Sequence, residues 1–166
     1  MRSLRAGPAL LLAVALAAVL GGCGRSSADA PPTVQLVIGD QKVSLKPTQY
    51  CDGKDFHRYD VQPPVIAAAP GTRITFTVPA SVATHGWTVQ VYDQQLEERI
   101  GQAPVPAGQR SFDQITMSDP APSAFYLVVV EKETAACHEL AGSWPAGFIR
   151  VQTGSGSASA SVSQAG

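Results

Sequence analysis

Apolar and polar residues alternate with a period of two through most of the chain between residues 33 and 153, the signature of half-buried β-strands. In "TRITFTVP" the pattern sets Ile74, Phe76 and Val78 on one face and Arg73, Thr75 and Thr77 on the other. "GWTVQVYD" repeats it with Trp87, Val89 and Val91. "TVQLVIG" and "KVSLKP" predict two further strands joined by a hairpin turn at Gly39-Asp40-Gln41. "AFYLVVVEKE" is apolar on both faces through Val130, as in a central strand covered from both sides. "GFIRVQT" closes the series.

Pro63-Pro64, Pro70-Gly71, Pro79, Pro104, Gly108 and the prolines at 120 and 122 punctuate these segments at fairly regular intervals. Only "EKETAACHELAG" suggests a helix. Short strands at this spacing predict an all-β fold, an antiparallel immunoglobulin-like β-sandwich with at most one short helix; a small barrel is the alternative.

The first 32 residues follow another pattern. Arg2 and Arg5 precede an apolar run from Ala9 to Leu20, about the length of a secretory signal and shorter than the roughly 20 residues that span a bilayer. Leu20-Gly21-Gly22-Cys23 then resembles the lipobox of bacterial lipoproteins. Small residues fit an extended backbone into a peptidase site, and the Cys23 thiol accepts a diacylglyceryl chain. The expected organisation is a lipoprotein signal peptide over 1–22 and an acylated, palmitate-bearing Cys23 opening a flexible linker over 23–32. A single β-sandwich domain over 33–153 and a disordered Gly/Ser/Ala tail over 154–166 follow. The expected location is the outer face of the cytoplasmic membrane, with the membrane itself as the first partner through the lipid anchor.

Charge removes several function classes. Without Arg2 and Arg5 the chain carries ten basic and thirteen acidic side chains, a formal charge of −3, with no basic stripe. Nucleic-acid binding and polybasic membrane docking therefore have no electrostatic support. With Cys23 assigned to lipid, Cys51 and Cys137 remain, and an even pair in an exported domain reads as a disulfide. Two buried free thiols or a metal site are the other readings.

The order "SLKPTQYC", "PGTRITFTVPASVATHGWTVQVYD", a polar segment, "FYLVVVE" and a closing aromatic segment resembles a family of actinobacterial lipoproteins described only as a domain of unknown function. The resemblance covers nearly the whole domain. It implies an exported, immunoglobulin-like protein and no reaction.

Candidate chemistry is sparse. His57, His85, Met117, Cys137 and His138 are the residue types of a cupredoxin-like copper site. Their spacing is wrong: Cys137 and His138 are adjacent, so on a strand they face opposite ways, and Met117 precedes them. Copper would also take Cys137 from Cys51. There is no Gly-x-Ser-x-Gly elbow, and no histidine lies in a hydrolase motif. Asp52 with Asp55 and Glu97 with Glu98 lack the ligand density of a calcium loop and read as solvated turns. Trp87 shares a face with Val89 and Val91 and reads as core. Trp144, in "AGSWPAG", reads as a loop residue that either caps the sandwich or projects outward. The expectation is a non-catalytic binding or structural module of the cell envelope, without a cofactor, whose partner is an envelope protein or a small ligand. A small-molecule or lipid carrier and a copper protein are the alternatives.

Overall fold

The computed structural model describes residues 30–120, 122–134, 137 and 140–151. The expected signal peptide, Cys23 and its linker as far as residue 29, His138 and the 154–166 tail lie outside the described residues.

The described chain is built from two sheets. The smaller has the order β2-β1-β6-β9, with β1 at Val34–Ile38, β2 at Gln41–Leu45, β6 at Arg73–Thr77 and β9 at Ser111–Thr116. The larger runs β4-β3-β11-β10-β7-β8, formed by Asp55–Arg58, Gln49–Asp52, Gly142–Arg150, Ala124–Glu131, Trp87–Tyr92 and Arg99–Val105 respectively. β5, Val65–Ala68, adds to β11 in parallel, and every other pairing is antiparallel. β1, β6 and β9 occupy the places of the A, B and E strands of an immunoglobulin sandwich, and β7, β10 and β11 those of C, F and G.

The alternation seen in the sequence sorts side chains between the faces. Leu36, Ile74, Phe76 and Phe112 of the small sheet and Trp87, Val89, Phe125, Leu127, Val129, Trp144 and Phe148 of the large one belong to a single buried cluster. Trp87, on the C-type strand, packs edge-on against Phe112 with ring centroids 6.3 Å apart. Phe125 and Phe148 stack across the β10–β11 ladder at 5.4 Å. The turn between β1 and β2 narrows to Gly39 and Asp40, with Gly39 at φ 55°, as a two-residue turn with glycine first requires.

Two expectations are corrected. The helix is α1, Ala80–His85, and not "EKETAACHELAG". There Glu131 ends β10, Thr134 and Cys137 form an isolated bridge, and Gly142 begins β11. β10 and β11 are adjacent antiparallel strands, so their connection has to turn the chain back, and that overrides its local helical composition. Trp144 is likewise no loop residue but lies within β11, fully buried. Pro145 fits that strand because Ser143 and Gly147 direct their backbone groups to the β3–β5 side, which fixes the direction of the residue between them. β3 pairs only with 142–143 and β5 only with 147–150, so the missing N–H faces the gap between them.

Candidate functional site

The strand ends at one edge of the core assemble a polar cluster. In register across the large sheet stand Val105, Trp87, Glu131, Gly142, Tyr50 and His57. Residues paired in this way share a face, and here it is the inner one that carries Val129 and Trp144 two positions along. Glu131 thus occupies a core position, with 3% of its surface exposed.

One of its carboxylate oxygens, Oε1, lies 3.2 Å from Nδ1 of His85, the last residue of α1. The other, Oε2, is buried and has no hydrogen-bond partner. Burial pushes the Glu131 carboxyl above its ordinary value, opposed by the hydrogen bond and charge of His85. Tyr50 is raised as well, first by burial and then by the negative charge of Glu131 and Asp52. A second tie joins the same elements, since the Lys132 N–H donates to the Gly86 carbonyl at 3.2 Å.

Gly142 is needed on steric grounds. A Cβ there would sit 2.5 Å from the Trp144 ring and 3.1 Å from Tyr50, so only glycine leaves room for the indole. Both tryptophans bury a polar atom and satisfy it: Trp87 donates to the Gln109 carbonyl and Trp144 to that of Pro32, each at 2.8 Å.

Behind this row, on the outer side of the sheet, lies an open groove of about 370 Å³. By strand alternation Thr88, Gln90, Val130 and Lys132 face it, with Leu140 at its rim. Glu131 and Glu133 line it too, although the parity of β10 turns the Glu131 side chain toward the core.

Cys51 and Cys137 stand together at disulfide distance, their Cα atoms 6.5 Å apart, inside the range a disulfide bridges. The residues considered for copper are dispersed. His57 is exposed on β4, His85 is engaged with Glu131, Met117 is fully buried, and Cys137 lies at Cys51. Among the described residues no three His, Cys, Asp or Glu side chains cluster as a metal site would require. Asp52 and Asp55 sit exposed on the β3–β4 hairpin, and Glu97 and Glu98 are exposed in a turn whose N–H groups bond Asp93 Oδ1.

The His85–Glu131 pair was not apparent from sequence because Glu131 follows "FYLVVV" as a strand-ending polar residue would. The available signal was parity: Phe125, Leu127, Val129 and Glu131 are all odd positions of one strand.

Fold and site together define a β-sandwich protein with an aromatic core and one buried carboxyl–imidazole pair at its end. The chain belongs to the family described as protein of unknown function (DUF2771), which matches residues 27–138. The match includes His85, Glu131 and both cysteines and stops before β11. No curated protein and no solved structure matches the chain.

Proposed function

We propose that the chain is a lipid-anchored lipoprotein on the outer face of the cytoplasmic membrane, of the actinobacterial type it resembles, whose sandwich serves as a non-catalytic binding module. The lipobox-like Leu20-Gly21-Gly22-Cys23 supports the anchor. The observation that carries the binding role is the outer face of the large sheet. Val65, Tyr126, Val128, Pro145 and Ile149 fall on that face by register; Val65 and Ile149 are about half exposed, at 58% and 45%, Tyr126 is partly buried, and Val128 and Pro145 are buried beneath them. Apolar side chains on the solvent side of a sheet are a feature of surfaces that meet partners. A carrier role is less well supported, because side chains fill the space between the sheets where cargo would sit.

The anchor is tested by Cys23→Ala, which should lose lipid labelling and leave the membrane fraction while keeping a folded domain. Retention of the unlabelled variant in the membrane would remove the lipoprotein reading. The binding face is tested in intact cells by photo-crosslinking from Val65, Tyr126 or Ile149, with Thr75 of the small sheet as control. Discrete adducts from the first set alone are expected; equal yields from the control position would count against a dedicated face.

A further inference from the structure

Glu131 is the one described side chain that buries an unpartnered polar atom. Its only polar partner is a histidine of unequal exposure: the His85 side chain is 46% exposed and that of Glu131 4%. The pair joins the C-terminal end of α1 to the last residue of β10. Around it the α1 corner is held by backbone bonds, Lys132 N–H to the Gly86 carbonyl and Gly108 N–H to the Ala83 carbonyl. The groups facing Glu131 can be named by element. α1 supplies His85 and β3 supplies Tyr50, whereas β7 and β11 present Trp87 and Gly142, which carry no charge. On its own chain Lys132 and Glu133 follow as exposed residues.

We propose that His85 and Glu131 form a one-proton latch that holds the α1 corner onto the end of β10. With one proton on the pair, Nδ1 and Oε1 share it and no net charge is buried. When that proton leaves, it passes to solvent from the exposed imidazole. A carboxylate is left behind in the core, with Oε2 unpartnered and its Oε1 facing an uncharged imidazole, while the Lys132 ammonium at the same corner lies over Gly86 and makes no hydrogen bond to it. A buried carboxylate whose one remaining donor is the N–H of a neutral imidazole lacks a charged partner, and that cost is relieved by turning it to water. That movement requires β10 and α1 to part, which breaks the Lys132–Gly86 bond. The latch is therefore closed when the pair is protonated and open when it is not.

The test is NMR on the full chain across pH 5 to 9, following the His85 ring, the Lys132 and Gly108 amides and the Trp87 indole N–H. The three reporters and the His85 ring resonances should shift together with one common midpoint. Protection of the Lys132 amide, corrected for base-catalysed exchange, should fall about tenfold or more above that midpoint. In Glu131→Gln and in His85→Asn the common transition should disappear. Reporters that stay constant across this pH range in the wild-type chain would overturn the latch, whether or not either variant folds. So would an unchanged transition in Glu131→Gln.

Discussion

Glu131 occupies a position that alternation reserves for Val or Phe, and the linkage between its protonation and folding has a definite sign. Burial holds its carboxyl above the ordinary value of 4.5, so the folded chain binds this proton more tightly than the unfolded one. The stability it contributes is fully present below about 4.5 and is lost as pH rises through the raised value. Glutamine keeps the shape and cannot ionise. Urea unfolding of wild type and Glu131→Gln at several values from pH 4 to 8 should therefore show the variant gaining relative to wild type as pH rises. Curves that run parallel would mean that Glu131 already meets water in the folded state. His85 has a different relation to the sequence: it was visible as a residue type for copper, but its partner is 46 positions away and only the fold reveals it.

At the scale of elements, strands with sustained alternation or a continuous apolar run were readable, whereas β5 and β9, which still place Ile66, Ala68 and Phe112 in the core, were too short or too polar to be read. β1, β2, β6, β7 and β10 announce themselves by alternation or by a continuous apolar run. β4 is exposed along its whole length and β8 along most of it, so their sequences carry no burial pattern. β11 was read only from Gly147 onward because Gly142 and Pro145 look like loop punctuation, yet one accommodates the Trp144 ring and the other falls in the gap between β3 and β5. α1 spans six residues, too few for a periodic signal. Its exit depends on Gly86, at φ 80° and ψ 162°, a conformation essentially confined to glycine, with backbone atoms 3.2 Å from where a Cβ would stand. Gly86→Ala should cost about 1–3 kcal/mol in chemical denaturation. An unchanged unfolding midpoint would show that the corner relaxes freely.

At the scale of the whole molecule, the cysteine pair links the β3–β4 hairpin to the β10–β11 connection over a sequence separation of 86. Closing a loop of that length restricts the unfolded chain by roughly 4 to 5 kcal/mol on the chain-entropy argument. Cys51→Ser should cost about 2–5 kcal/mol, Cys137→Ser a similar amount, and the double variant little more than either, since one cross-link is lost in each case. Free thiols in the native protein would dissociate the pair from stability. Setting Cys23 aside leaves an even pair of the three cysteines, which made the pairing legible; which side chain lies beside each cysteine was not.

β11 also governs when folding can begin. It pairs with β10, β3 and β5 and brings Trp144, Ala146 and Phe148 to the centre of the core, yet among the described residues it is the last strand along the chain. Its parallel partner β5 precedes it by 82 residues, Val65 against Gly147. Contacts this distant in sequence form slowly, and none of them exists until the chain has grown past residue 150. A nascent chain therefore has no complete core to close upon while it is being made. The strand that completes the sandwich is thus made after every other described element.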